Sequence, residues 1–154
     1  MKAIHWIVAA AALTFVQPAQ AAQTDPEVII YRFPGVRDDG GALFVGVATV
    51  IHCTNFSGAD ETIRWVTRNS LGGLVDNTSF GIQHLQTITV ATHINRAYSS
   101  VTFATGALSQ GTTAIAATSL NVICTAMTID ASTTAPIGVA LRGIRFNPIP
   151  GSQE

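Results

Sequence analysis

Two cysteines, Cys53 and Cys124, constrain the fold of this 154-residue chain more than any other feature of its sequence. They lie 71 positions apart and are the only cysteines, so an oxidising compartment can join them in one way only. The cross-link would close a loop of about 70 residues, which the chain-entropy model values at roughly 4 kcal/mol of stability. The fold must therefore bring two distant segments side by side.

The start of the chain predicts export. Lys2 gives a short positive region, residues 4–16 are mostly apolar, and Ala19-Gln20-Ala21 forms a small-residue cleavage site. We therefore predict a secretory signal peptide over 1–21 and no membrane span, because the apolar stretch is too short. Removing it from the 154 residues leaves 133, the size of one domain over 22–154. The predicted location is periplasmic or extracellular.

The charge of the mature chain excludes two classes of partner. It has seven arginines, no lysine and nine acidic residues, which gives a net charge of −2. A nearly neutral chain without basic clusters is poorly suited to binding nucleic acid through phosphates. It is equally poorly suited to an anionic membrane surface. The remaining partners are proteins or other components of the cell envelope, and the sequence leaves self-association open.

The mature sequence predicts an all-β fold. It lacks helical periodicity, and runs of β-branched residues alternate with Gly, Asn, Asp and Pro turns. The strand signal is weak over 73–84, Gly46 predicts a bulge or bend, and 106–111 ("GALSQG") predicts a turn. Residues 22–26 and 147–154 are predicted to be flexible or extended ends. The predicted strands are 27–33, 42–56 (about 12 residues of it), 62–68, 85–92, 98–105, 112–118, 121–130 and 137–146.

The spacing of three residues resembles that of immunoglobulin-type sandwiches. Trp65 follows Cys53 by 12 residues, and Cys124 follows it by 71. In those domains the tryptophan packs on a disulfide that joins the two sheets. One feature departs from the pattern, because Val122 stands where a tyrosine corner would place its tyrosine. The resemblance implies a single antiparallel immunoglobulin-like β-sandwich with Trp65 on an inter-sheet Cys53–Cys124 bond, and a jelly roll is the competing fold.

The mature chain also resembles small, uncharacterised exported bacterial β-sandwich proteins. The likeness lies in a "CTN-x-SG" segment after a long strand, here residues 53–58, and in a "VIC" strand near the end, here residues 122–124. The resemblance implies export and a β-sandwich. It implies no activity.

Histidines and acidic turns are the candidate metal ligands. Neighbouring strand residues face opposite sides of a sheet, so a buried Cys53 would turn His52 outward, away from a shared metal. His84 and His93 are the other candidates for a transition metal. The acidic loops Asp38-Asp39 and Asp60-Glu61 offer the oxygen ligands that Ca²⁺ prefers, but neither has EF-hand spacing. We predict no cofactor and interpret these residues as ordinary polar groups.

No catalytic motif stands out in the sequence. "GALSQG" places Ser109 one residue too far from Gly106 for a nucleophile elbow, and no HExxH, CxxC or P-loop occurs. We therefore predict a non-enzymatic protein, with a small secreted hydrolase on the same sandwich as the rival interpretation. A carboxylate pair that meets only in space would support that rival.

A strand face is the remaining candidate for binding. Arg64 and Arg68 share the face of strand 62–68 that is opposite Trp65, where they could bind a carboxylate, a sulfate or a partner protein. The alternative is a solvated face with cross-strand ion pairs. The predicted function is an exported binding or structural module. Its variant is a subunit of an extracellular assembly, in which the start of the mature chain and its first strand add to a neighbour's sheet.

Overall fold

Ten β-strands and no helix form the part of the chain that the computed structural model describes, which comprises residues 27–40, 43–103 and 105–146. This confirms the all-β prediction. The predicted signal peptide, 1–21, lies outside the described residues, as do the predicted ends 22–26 and 147–154. In chain order the strands are β1 (Val28–Asp38), β2 (Val47–Asn55), β3 (Glu61–Asn69), β4 (Leu74–Ile82), β5 (Thr87–Ala91), β6 (Val101–Thr102), β7 (Leu108–Ala117), β8 (Val122–Asp130), β9 (Val139–Leu141) and β10 (Ile144–Arg145).

Several strand boundaries differ from the prediction. Strand β1 does not end at Pro34, because its register with β7 shifts between Pro34 and Val36 and the strand passes the proline through a bulge. Gly35 lies in this bulge with a φ of 85°, a conformation that glycine adopts without strain. Strand β2 begins only after Gly46, whose φ is 78°. Gly46 therefore marks the turn into the strand.

The largest error of the prediction is strand β4, which forms where the sequence signal was weak. Strand β7 begins at Leu108, inside the segment assigned to a turn. The predicted strand 98–105 shortens to β6, and the predicted strand 137–146 divides into β9 and β10. Strands β3 and β8 agree with their predicted ranges to within one residue at each end.

All ten strands belong to one continuous, curled sheet. Its two arms meet where β1 and β2 pair, and the only register pair there is Asp38 with Ala48. The first arm has the order β4-β3-β7-β1, and β10 pairs with the other side of β1. The second arm has β2 at its centre, between β5 and β8, with β6 beside β5 and β9 beside β8. Every pair except β5–β6 is antiparallel.

The main core lies between the two arms. Strand β3 shows how the sequence produces it, because Ile63, Trp65 and Thr67 are buried while Arg64 and Val66 between them are not. The cluster takes Ile30, Phe33, Ile63, Trp65 and Ile115 from the first arm and Ile51, Cys53, Val90, Val122 and Cys124 from the second. Because one cluster draws on both arms, the sheet curls around it.

The disulfide between Cys53 and Cys124 is present, as predicted, but its place in the sheet is different. The two cysteines are direct register partners on the neighbouring strands β2 and β8, with their Cα atoms 4.2 Å apart. That separation is close to the roughly 4.5 Å of a non-hydrogen-bonded antiparallel pair. The prediction of an inter-sheet disulfide is therefore wrong, because the bond joins adjacent strands of one sheet.

A second, smaller core lies on the opposite face of the second arm. It comprises Ala48, Val50, Ala91, Ile129 and Ala131. Ala97 and Tyr98 from the segment after β5 pack against it, together with Met127 of β8. The outer face of β2 is therefore partly covered.

Candidate functional site

His52 and Cys53 occupy opposite faces of β2, as the strand geometry predicted. Cys53 is fully buried in the main core, whereas His52 is half-buried on the outer face. Nδ1 of His52 lies 2.9 Å from the Thr89 hydroxyl, and its ring contacts that of Tyr98 edge-on at 4.7 Å. Burial lowers the pKa of His52 below its ordinary value, because desolvation disfavours the charged ring. The adjacent histidine and cysteine do not form a metal site.

His84 has a separate, local role. Its Nδ1 accepts a hydrogen bond of 3.0 Å from the backbone N–H of Gly58, in the turn between β2 and β3. Gly58 has a φ of 92°, so this turn uses the conformational freedom of glycine. The contact ties the segment after β4 to the turn after β2, and it engages one ring nitrogen in structure.

Two of the candidate metal groups come together in space. One potential ligand atom from each of Asp38, Asp39 and His93 lies within 4.8 Å of the others, and this is the one such group of three among the described residues. Nδ1 of His93 is 2.9 Å from a carboxylate oxygen of Asp38, which is almost completely buried. The sequence offered these residues as separate candidates. The fold joins them at the meeting point of the two arms.

Hydrogen bonds already engage the atoms of this group. Asp38 Oδ1 accepts from the Gly40 N–H, and Oδ2 accepts from the Thr105 hydroxyl. The Nε2 atom of His93 lies 3.0 Å from the Val45 carbonyl oxygen. Both ring nitrogens thus lie within hydrogen-bond distance of oxygen atoms. We interpret the group as a polar clamp that ties β1 to the segments after β5 and β6, since a cation would have to replace these bonds.

Trp65 lies at the centre of the main core, in the same cluster as Cys53 and Cys124. Its ring packs against those of Phe80, at a centroid distance of 5.9 Å, and Phe103, at 6.2 Å. The indole N–H is buried and has no hydrogen-bond partner. Packing of the ring directly on the disulfide stays a prediction. The observed neighbours are aromatic residues from β4 and from the end of β6.

Glu61 was predicted to be a turn carboxylate, but the structure buries it in a strand. Glu61 is completely buried at the start of β3, where its Oε2 accepts a hydrogen bond from the Thr118 hydroxyl. Its Oε1 has no partner. Asp60 beside it lines an open depression of about 250 Å³, together with Gly81, Ile82 and Gln83. Strand periodicity alone could have placed Glu61 on the inner face, because it shares the parity of Trp65.

Arg64 and Arg68 lie on the outer face of β3, as predicted, but each is engaged. Arg64 forms an ion pair with Glu27, just before β1. Arg68 donates a hydrogen bond of 2.9 Å from Nη1 to the Gly72 carbonyl, in the hairpin between β3 and β4. Exposed ion pairs contribute about 0–1 kcal/mol. Binding of an anion or a partner by this face remains a prediction.

Strand β4 lies at the open end of the first arm and pairs with β3 alone. A hydrogen bond of the neighbouring strand β3 shows in which direction the backbone groups of β4 point. Thr118 N donates to the Thr62 carbonyl at 3.1 Å, so the backbone of Thr62 faces β7. Since successive strand residues direct their backbone groups to opposite sides, those of Ile63 and Trp65 face β4.

The backbone groups of successive β4 residues point alternately toward β3 and toward the open side of the strand. Phe80 and Thr78, the partners of Ile63 and Trp65, direct their N–H and C=O groups toward β3. The residues at alternate positions, Asn77, Ser79 and Gly81, direct theirs away from the sheet. No described strand pairs with that side. These three residues are exposed, and they present a row of donors and acceptors that no strand of the described residues pairs with.

Strand β4 carries few of the features that protect sheet edges in other proteins. Natural edges are short, carry lysine or proline, or twist away through bulges. The other terminal strands, β6, β9 and β10, have only two or three residues each. Strand β4 has nine residues, no lysine, arginine or proline, and one bulge near its start, beside Leu74. This strand, which we call the β4 edge, is the candidate functional site.

No family model, curated protein or solved structure matches this chain. Among the described residues there is no helix that is long and apolar enough to cross a membrane.

Proposed function

We propose that the protein is an exported, non-enzymatic binding module that uses the β4 edge to add an extended partner strand to its sheet. The observation that carries the proposal is the row of outward backbone groups at Asn77, Ser79 and Gly81. Strand addition obtains affinity from main-chain hydrogen bonds and specificity from alternate side chains. A nine-residue strand is long enough to supply both.

The state of the polar side chains supports a role without catalysis. Asp38 and His93, which could have formed an acid–base pair, are bonded to each other and to neighbouring turns. Glu61 is sealed inside the core, away from any substrate. The rival interpretation, a small hydrolase, would have to use the group of Asp38, Asp39 and His93, and the hydrogen bonds that now engage these side chains would have to be broken.

Two further properties belong to the proposal. Export is supported by the sequence of residues 1–21, and the disulfide is compatible with an oxidising compartment. We expect mass spectrometry of the exported protein to find Ala22 as its first residue.

A two-layer sandwich is supported by the core that both arms share. The immunoglobulin likeness is then limited to the Cys–Trp–Cys spacing, because the cysteines lie on adjacent strands.

The assembly variant of this function requires a different strand from the one that the sequence suggested. Strand β1 pairs along most of its length with β7 of the same chain, so it is not free to join a neighbour's sheet. Among the described strands of five or more residues, β4 is the one with no strand pairing along one whole side. It is therefore the surface that tests both a binding role and an assembly role.

Selection of displayed random peptides on the immobilised exported protein tests the proposal. We expect enrichment of extended, β-branched sequences, because these form strands most readily. The same selection on Ser79→Pro should lose them. Proline at this position removes an N–H that faces away from β3, so it blocks the edge without removing a bond of the sheet.

Arg64→Ala is the matched control, because Arg64 is the register partner of Ser79 on the outer face and its truncation leaves the outward backbone groups of β4 in place. We expect it to retain the enriched peptides. Equal enrichment on the parent protein and on Ser79→Pro would reject the β4 edge as the binding site. Loss on Arg64→Ala alone would instead assign binding to the arginine face.

A further inference from the structure

We propose that the partner of the β4 edge is the β4 edge of a second copy of this chain, paired antiparallel about a two-fold axis at Thr78. This inference rests on the proposed function, since it uses the same open edge. It adds the identity of the partner, the register of pairing and the symmetry of the product. The product is a dimer in which the first arms of two molecules form one continuous sheet.

The length of the strand sets the register. Thr78 is the midpoint of Leu74–Ile82, so an axis at this residue uses the whole strand of both copies. Asn77 of each copy then lies opposite Ser79 of the other. Because both residues direct their backbone groups outward, these two pairs exchange four main-chain hydrogen bonds. Thr78 faces its own counterpart, and threonine pairs are favourable across antiparallel strands.

The charges of the strand permit this pairing. Asp76 is the only charged residue among the nine of β4. In the proposed register it lies opposite Phe80 of the second copy and not opposite another carboxylate. The two Asp76 residues are then four positions apart along the strands, about 13 Å. That exceeds the Debye length of about 8 Å at physiological salt, so repulsion between them is largely screened.

An open edge without lysine or proline can lead to aggregation, but two-fold pairing limits the product to a dimer. A two-fold contact uses the same surface of both copies and closes on itself, so it yields dimers and not fibres. The remaining terminal strands of the described structure, β6, β9 and β10, are too short to continue the sheet. The contact consists of one nine-residue edge strand from each copy, which is small for a specific protein–protein interface. The dimer should therefore form at high protein concentration.

Disulfide trapping tests the register on the protein exported from the full-length chain. With Thr78→Cys, the two introduced cysteines would face each other as a non-hydrogen-bonded pair with Cα atoms about 4.5 Å apart, within the range of disulfides. With the control Asn77→Cys, the corresponding Cα atoms would be about 8 Å apart, which is too far. We expect Thr78→Cys to form cross-linked dimers at least about tenfold faster.

Peptide mapping of each cysteine variant verifies that the Cys53–Cys124 bond is intact. Equal rates for the two variants would overturn the register, and faster cross-linking by Asn77→Cys would do the same. Sedimentation of the protein without added cysteines gives an independent measurement. We expect a monomer–dimer equilibrium that Ser79→Pro shifts entirely to monomer.

The outcomes separate this inference from the proposed function. A strict monomer that still selects peptides through the β4 edge would overturn the second copy as partner and leave the binding function in place. A dimer that persists in Ser79→Pro would overturn the inference, because another surface must then form it. Species larger than dimers would exclude the two-fold arrangement. A parent protein that neither dimerises nor selects peptides would reject both proposals.

Discussion

Strands β8 and β4 have the same length, nine residues, but the fold treats them in opposite ways. Strand β8 pairs with β2 along all nine positions and is cross-linked to it through Cys124. On its other side, three of its residues, 126–128, pair with β9. Strand β4 pairs with β3 on one side and with no described strand on the other. The covalent bond therefore secures the centre of the second arm, whereas the first arm ends in unpaired backbone groups.

This difference separates stability from binding. Residues of β8 such as Val122 and Cys124 are buried in the main core, so changes there should act on folding. Asn77 and Ser79 of β4 are exposed, so changes there should act on association. Substitutions in and beside the two strands can test that division.

Removal of the disulfide should have the largest effect. We expect the double variant Cys53→Ala/Cys124→Ala to lose at least about 4 kcal/mol of unfolding free energy, because the unfolded chain regains the entropy of an open loop of about 70 residues. Denaturant titration measures this loss. Reductant should lower the melting temperature of the parent protein and leave that of the double variant unchanged. An unchanged melting temperature of the parent under full reduction would contradict the role of the bond.

The sequence predicted β8 and its cysteine well because both carry strong local signals. The segment 122–130 is rich in β-branched residues, and an exported chain with two cysteines allows one pairing. It did not predict that Cys53 and Cys124 are neighbours in one sheet. Register between strands 71 positions apart is a tertiary property, which spacing along the chain does not encode.

Trp65 should produce the next largest effect, because it connects the core to the β4 edge through Phe80. We expect Trp65→Ala to lose about 3–5 kcal/mol, the range for large aromatic truncations in a core. Trp65→Phe is the control, since it keeps an aromatic ring and removes an indole N–H that has no partner. Chemical denaturation of the three proteins gives the comparison. Equal losses in both variants would show that the contacts with Phe80 and Phe103 contribute little.

The candidate site was hidden in the sequence for physical reasons. Strand β4 contains Asp76, Asn77 and Gly81, residue types that are depleted in strands, and it lacks a strongly apolar face. Its strand conformation is imposed by pairing with β3, so tertiary structure overrides local preference. Arg64 and Arg68 were placed on the correct face by periodicity alone. Their engagement with Glu27 and Gly72 depends on contacts that periodicity cannot show.

Two proline substitutions one position apart test the assignment of backbone directions in β4. Thr78→Pro removes an N–H that faces β3 and leaves a carbonyl of the sheet without its donor, at a cost of about 1–3 kcal/mol. Ser79→Pro removes an outward N–H, so we expect the smaller loss of stability. Thermal and chemical unfolding of both variants measure the difference. A larger loss in Ser79→Pro would reverse the assignment and invalidate the proposed register.

The smallest effect that we expect is a pH dependence of folding stability. It arises from His52 on β2, in the arm that the disulfide cross-links. His52 lies on β2 opposite Thr125 of β8, and burial lowers its pKa below the ordinary value of 6.5. Between the lowered pKa and 6.5 the unfolded chain binds more protons than the folded one, so stability rises with pH in that window. The contribution is complete above 6.5 and is lost as the pH falls through the window.

We therefore expect acid to weaken the parent protein more than His52→Gln, which keeps a polar side chain near Thr89 but has no proton to bind. Denaturant titrations at about pH 7.5, 6.5 and 5.5 compare the two slopes, and an NMR titration of the His52 ring locates its pKa directly. Identical slopes would show that the half-buried ring under Tyr98 does not couple protonation to folding. A shallower slope in the variant would localise this acid sensitivity to β2, on the side of the molecule that the disulfide secures.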